Sequence, residues 1–248
     1  MRIDLNADVG EGVGQDPALM PHITSANVAC GVHAGGPAVM RETVLLARDH
    51  GVAVGAHPSF PDREGFGRRD LQLPPLQIED IVVSQIEALA AIAAAEGVRL
   101  QHVKPHGALF NVAVRDRSVA DAIARAIALV DPALILFGLP ASELIAAGKA
   151  AGLRTACEAF ADRAYRPDGT LVPRTQPGAV IDDAAQVLAR VATIALERAV
   201  IAIDGTRVPI TLDTICVHGD TPGAAALAAR IRAALATSGI DVKSIGQP

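Results

Sequence analysis

The residues of this chain that could do chemistry come in clusters, and each cluster follows a short apolar run. Asn6, Asp8 and Glu11 crowd around Gly10 and Gly12, just after Ile3 and Leu5. Asn27 and His33 come with and after Thr24–Ala29, in a glycine-rich stretch. His57 follows Val52–Gly55, Lys104 and His106 follow Arg99–Val103, and His218 and Asp220 follow Thr214–Val217. Glu158, Asp162 and Arg163 follow Leu153–Cys157. Imidazoles beside carboxylates suit general acid–base chemistry or a divalent metal. The candidate catalytic groups are Asp8, His57, Lys104, His106 and His218. The candidate substrate ligands are Asn6, Asn27, His33, Glu158, Arg163 and Asp220. Asp8, His33 and His57 would ligate a metal if one is held, although no H-x-H or H-E-x-x-H spacing marks such a site. Lys104 reads as an anchor for an anionic substrate or, with a depressed pKa, as a Schiff-base nucleophile. Arg163, Arg68 and Arg69 suit bidentate recognition of carboxylate or phosphate. Cys30 and Cys216 fall inside apolar strands and read as buried thiols.

The elements that must position these groups follow from periodicity and punctuation. In a strand, residues i and i+2 share a face, so Asp4, Asn6 and Asp8 point one way. That is costly inside a core, where an unpartnered polar atom loses about 1–3 kcal/mol. Helices are predicted from Pro37 to His50 with Gly51 as the stop and His50 capping the end, and from Leu76 to Glu96 before Gly97. Others are predicted from Ser118, as cap, to Val130, from Ala141 to Ala151, from Asp182 to Arg198, and from Thr221-Pro222 to Thr237. Leu134–Phe137 is a further strand without chemistry, and Asp204-Gly205 joins Val200–Ile203 to Val208–Leu212 as a hairpin. Residues 56–69 and 158–174 are charged loops, too long for simple connectors.

Seven short β-branched runs alternating with six helices predict parallel strands covered by helices. No G-x-G-x-x-G or P-loop stands in the context that a doubly wound nucleotide fold requires. The expectation is therefore an α/β chain folded as one domain over residues 1–248, a distorted seven-stranded (β/α) TIM-like barrel. In that fold chemistry gathers at the C-terminal ends of the strands. Six of the seven strand ends carry the clusters above, and that coincidence marks an enzyme. Half of the residues are hydrophobic but aromatics are scarce, with no Trp, one Tyr and five Phe, so the core must be aliphatic. A net charge of −5 with interspersed signs and no aromatic platform argues against nucleic-acid binding. Cys30, Cys157 and Cys216 lie far apart, which suits a reducing cytoplasm, and neither a signal peptide nor a membrane span is expected.

Six stretches carry a resemblance to a known family. They are Asp4-Leu-Asn-Ala-Asp-Val-Gly-Glu-Gly12, Ser25-Ala-Asn-Val-Ala-Cys-Gly-Val-His-Ala-Gly35, Gly55-Ala-His-Pro-Ser-Phe-Pro-Asp62, Val103-Lys-Pro-His-Gly-Ala-Leu109, Phe160-Ala-Asp-Arg-Ala-Tyr165 and Val217-His-Gly-Asp220. Together and in this order, they resemble the LamB/YcsF family over essentially the whole chain. The resemblance implies a distorted barrel related to the glycoside hydrolase/deacetylase superfamily. It also implies the A component of an ATP-dependent 5-oxoprolinase, which opens the lactam 5-oxoproline to L-glutamate together with subunits B and C. ATP would be handled by those partners, since no phosphate-cradling loop is visible here. Two departures stand out: Gly36 where the family pattern has Asp, and Phe110 where it has Tyr. A self-sufficient metal-dependent deacetylase or amidohydrolase, and a non-catalytic lactam- or sugar-binding subunit, are the rival readings.

Overall fold

The computed structural model of the chain describes residues 1–12, 15–219 and 223–246. Seven parallel strands close into a barrel: β1 (Arg2–Val9), β2 (Ser25–Ala29), β3 (Ala53–His57), β4 (Leu100–Val103), β5 (Ile135–Gly138), β6 (Arg154–Phe160) and β9 (Thr214–Val217), the last pairing back onto β1. Between β6 and β9 the chain leaves the barrel to form the antiparallel pair β7 (Ala199–Ile201) and β8 (Arg207–Pro209), the hairpin that Asp204-Gly205 predicts. Near the C-terminus β10 (Asp241–Val242) pairs with the start of β1.

The helices surround this sheet: α1 (Asp16–Leu19), α2 (Pro37–Asp49), α3 (Pro75–Ala95), α4 (Gly107–Ala113), α5 (Arg117–Val130), α6 (Glu143–Ala150), α7 (Ala184–Glu197) and α8 (Ala224–Thr237). Their buried faces follow helical spacing, as in Ile78, Val82, Ile86, Leu89 and Ala93 of α3. His50 caps α2, with Nδ1 2.9 Å from the Leu46 carbonyl. The cap of α5 is Asp116 instead of Ser118, because its carboxylate accepts from the amides of Ser118 and Val119. The expected opening of α8 at Thr221-Pro222, like Asp220, lies outside the described residues. Gly36 precedes α2 with extended backbone and nothing within 4 Å of where a Cβ would sit, so a side chain such as Asp would fit at this position. No helix among the described residues is long and apolar enough to cross a membrane.

The aliphatic core lies between strands and helices, while the barrel lumen is largely polar. Ile135, Phe137 and Ala156 form an apolar patch inside it, with Ile245 of the C-terminal segment packed against them. Higher up, the lumen is so narrow that one position admits no side chain. A Cβ on Gly55 would stand 2.2 Å from the ring of His102, whose imidazole stacks on Phe137 with centroids 4.2 Å apart.

Candidate active site

The alternation of β1 puts Asp4, Asn6 and Asp8 on one face, and that face is the lumen; all three are buried. Each finds its partners on neighbouring strands. Asp4 accepts from the hydroxyls of Thr24 and Ser25 (both 2.7 Å) and of Thr214 (2.5 Å). Burial outweighs these bonds and raises its pKa to about 6. Asn6 Nδ2 donates to Thr214 Oγ1 (2.7 Å) and Glu158 Oε1 (3.0 Å), and its Oδ1 accepts from Asn27 Nδ2 (2.7 Å). His102 Nε2 donates to Asn27 Oδ1 (2.8 Å), which turns the Asn27 amide so that Nδ2 also reaches Asp8 Oδ1 (2.8 Å).

Lys104 ends this column. Its ammonium lies 2.8 Å from Asp8 Oδ1, 3.0 Å from Glu158 Oε1 and 3.0 Å from Cys216 Sγ. Burial alone would lower its pKa, but the neighbouring Asp8 carboxylate above all, with Glu158, holds it well above the ordinary lysine range. For Asp8 burial raises the pKa, yet the neighbouring His57 and Lys104 charges hold the carboxyl well below its usual range. Glu158 is raised, chiefly by burial. An ammonium so paired is no Schiff-base nucleophile, and its three protons are committed to side chains of the lumen.

β3 runs two residues past its expected end, so His57 sits on the strand with its side chain toward the lumen mouth. Three imidazoles gather there, and the bonds of each fix its tautomer. His57 Nδ1–H donates to the Lys104 carbonyl (2.7 Å), and His106 Nε2–H donates to the Phe66 carbonyl (2.8 Å). Ser59 Oγ spends its proton on the Phe60 carbonyl (2.9 Å), so it accepts from His33 Nδ1–H (2.9 Å). The remaining nitrogens converge. His57 Nε2 is 2.9 Å from His106 Nδ1 and 3.4 Å from Asp8 Oδ2, and Glu11 Oε1 is 3.4 Å from His33 Nε2 and 3.5 Å from His106 Nδ1. His33 and His106 stack at 3.9 Å. Burial, reinforced by the His57 charge, pushes His33 down to about 3 and His106 well below the usual range.

With both outward protons fixed, neutral His57 and His106 would set lone pair against lone pair at 2.9 Å. A proton or a metal ion between them removes that conflict. Ligand atoms of Asp8, His57 and His106 lie within 4.8 Å of one another, as do those of Glu11, His33 and His106. Backbone or hydroxyl partners behind each imidazole are the usual support of metal-bound histidines, and this N/O donor set suits a borderline divalent ion. The site therefore fits such an ion. His33 joins Glu11 and His106 in this grouping, while Asp8 and His57 share the other with His106.

Across the mouth, His218 Nδ1 lies 2.8 and 2.9 Å from the two oxygens of Asp162, and its ring stacks on Phe160. Burial raises the Asp162 pKa, but the His218 charge and hydrogen bond more than offset it, and the carboxyl stays ionised. A cavity of about 480 Å³ spans the two walls, with Asp8, Glu11, Lys104 and His106 on one side and Phe160, Arg163 and His218 on the other. Phe110 also lines it, edge-on to Phe160. Asn6, Asn27 and Glu158 lie below, in the lumen column.

Arg163 is buried, and its Nε and Nη2 donate to the carbonyls of Ala179 (3.2 Å) and Val172 (2.6 Å), fastening residues 163–180 to the barrel. Arg69 is likewise spent, its Nε on Asp62 (2.7 Å). Phe66 adopts a left-handed backbone (φ 55°) that turns its carbonyl toward His106, an arrangement with no signal in the residue type. Ser59 and the pairing of Asp162 with His218 also had no sequence signal, since each depends on contacts between distant segments.

The chain is 46% identical to the lactam utilization protein of Thermus thermophilus, whose crystal structure superposes with a TM-score of 0.92 over 99% of this chain and 100% of that one. It is 56% identical to the A component of 5-oxoprolinase from Chloroflexus aggregans, over 98% of this chain and 99% of that protein. A family 4 carbohydrate esterase from Streptomyces lividans shares the fold, with a TM-score of 0.53 at 14% identity over 99% and 93% of the two chains. The LamB/YcsF family profile matches residues 3–248, and by that match and these identities the chain belongs to the LamB/YcsF family.

Proposed function

We propose that this chain is the A component of a cytoplasmic ATP-dependent 5-oxoprolinase and that it performs the hydrolytic step, opening the lactam of 5-oxoproline to L-glutamate. The partner subunits B and C use ATP to phosphorylate the lactam oxygen, which makes an unstrained amide electrophilic. One observation carries the reading: an ionised Asp8 against His57 and the Asp162–His218 pair face each other across a single cavity. The Chloroflexus relative, named as the corresponding 5-oxoprolinase component, supports the substrate.

Water adds to the lactam carbon, and the Asp8–His57 pair takes its proton. Lys104 and Asn27 hold Asp8 Oδ1, leaving Oδ2 on the His57 side. As the ring C–N bond breaks, His218 delivers a proton to the nitrogen, and Asp162 steadies the imidazole through that exchange; the acyl phosphate left behind is hydrolysed by a second water, which releases inorganic phosphate and forms the carboxylate of glutamate. Asp8, His57 and His106 would hold a divalent ion, which when bound supplies Lewis acidity toward the carbonyl or the water.

The test is glutamate release from 5-oxoproline and ATP by this chain alone, by B and C alone, and by all three. Release only from the full mixture, lost with Asp8→Ala or His57→Ala, is the expected result. Turnover by B and C alone would demote this chain to a binding role. The metal fit favours one alternative, a self-sufficient metal-dependent amidohydrolase or deacetylase, which requires amide cleavage by the isolated chain without ATP.

A further inference from the structure

The far wall of the cavity carries more positive charge than a small lactam acid needs. Arg115, Arg166 and Arg174 line it, and among the described residues none of these guanidinium groups forms a direct ion pair or side-chain hydrogen bond, although Asp168 feels the charges of Arg115 and Arg166, and Asp162 that of Arg174, without direct contact. Arg166 and Arg174 are half-buried. Half-burying a cation that no carboxylate contacts directly costs free energy unless something occupies the space in front of it.

Their support is rigid. Arg166 sits at the start of a tight turn closed by its amide on the Thr170 carbonyl (2.7 Å), and Tyr165 and Leu171 pair across that turn. Ala164 exchanges backbone bonds with Ala179 and Val172 (both 3.0 Å), the segment that Arg163 clamps from below. Arg115, just after α4, joins them from a separate segment, close enough to the Arg166 turn to act on Asp168. Phe110, Phe160, Leu139 and Val172 give this end an apolar shelf, so the arginines act in partly desolvated surroundings. At about 480 Å³ the cavity falls in the range that holds ligands well above the size of one five-membered ring acid. Arginine forks match phosphoryl oxygens, and three of them match a dianion better than a lone carboxylate.

We infer that Arg115, Arg166 and Arg174 form a phosphoryl anchor, so that this chain receives its substrate already phosphorylated and holds the phosphate at the arginine wall. The lactam ring then lies toward Asp8, His57 and His218. The inference rests on the lactam activation and hydrolysis proposed above and names the residues that would receive the phosphoryl group. It also places this chain after a phosphoryl-transfer reaction that consumes the nucleotide, with inorganic phosphate as a product to be released from the same wall.

The test is titration calorimetry on the isolated chain with inorganic phosphate, and separately with ADP, for wild type, Arg166→Gln, Arg174→Gln and the double variant. Phosphate should bind, each single variant should weaken it about tenfold, and Arg→Lys at the same positions should recover part of the loss. ADP should bind no tighter than phosphate. Phosphate affinity unchanged in the double variant overturns the anchor, and ADP binding more than tenfold tighter than phosphate makes the wall a nucleotide site instead. In the three-subunit mixture, the double variant should lose glutamate release while ATP consumption by B and C continues. Lost phosphate binding with undiminished glutamate release overturns the substrate assignment. A wild-type mixture that releases no glutamate counts against the lactam reading, and the calorimetry then decides the anchor separately.

Discussion

Replacing Lys104 by Met removes one ammonium from a point where Asp8 Oδ1, Glu158 Oε1 and Cys216 Sγ close on it at 2.8–3.0 Å. The side chain is almost wholly buried, so no water replaces the lost charge. Removing one partner of a buried ion pair costs about 3–5 kcal/mol, because the other charge stays behind. For a chain of this length each kcal/mol lowers Tm by about 2–4 °C, so K104M should melt about 6–20 °C below wild type at pH 8. The pH dependence carries the diagnosis. In wild type the Asp8 pKa lies below its unfolded value, so its contribution is present above that value and is lost as pH falls through the folded pKa. In K104M, burial acts on Asp8 and Glu158 without the lysine. Glu158, already raised, then rises further, and Asp8 loses one of the two charges that hold it down, so K104M is penalised more than wild type as pH rises. The stability gap between the two proteins should therefore narrow from pH 8 to pH 5, by up to about 1.4 kcal/mol per pH unit for each carboxyl that titrates. Urea unfolding followed by circular dichroism at several pH values measures it. K104M as stable as wild type, with only a raised KM, would refute this reasoning and restore Lys104 as a substrate anchor; a gap independent of pH would refute the charge account.

Three further outcomes follow from the same geometry. Asp162→Asn should lower kcat of the assembled enzyme by about 10²–10⁴ with little change in KM or Tm, since it removes the charge behind His218; a loss under tenfold would take the pair out of proton transfer. Acid should destabilise the chain between about pH 6.5 and 3, where His33 and His102, both pushed down to about 3 by burial, bind protons only when unfolded. Asp4, raised to about 6, works the other way as pH falls, but one carboxyl does not offset two histidines; urea unfolding at pH 6.5, 5.5 and 4.5 should show the net loss, and flat stability would contradict it. Arg163→Met should release the 163–180 segment, and limited trypsin digestion should then cut after Arg174 well before wild type is cleaved; equal digestion rates would mean that the clamp is dispensable.

Much of the barrel was readable because parallel strands leave near-continuous apolar runs and because glycine and proline punctuate the helices. Errors came where lumen and loop look alike in sequence. Ala56-His57 and Glu158-Ala-Phe160 read as loop because they are polar or small, yet both are the last residues of strands, and the polar side chains His57 and Glu158 find partners in the lumen. The seven-residue α4 was hidden by Gly107 at its start, which is tied through the next residue's amide to the Gly67 carbonyl. Which residues gather was legible at Asp8, His57 and His106, each at the end of its own strand. What each does there was not. Lys104 and Arg163 look like anion anchors until their partners are known, and those partners lie as far away in sequence as Glu158 and Ala179. Asp162 gains its meaning only from His218, on a different strand.

The contact between Gly55 and His102 also bears on how such a barrel can change. A methyl group at position 55 cannot be accepted while the imidazole stands where it does, and shrinking residue 102 first opens a void and frees the Asn27 amide that steadies Asp8. Either single step loses, while the two together trade one filling for another, so their combined effect should depart strongly from the sum. The two positions then behave as one inherited character, and a lineage can cross between its states only by passing through a weakened protein or by changing both at once.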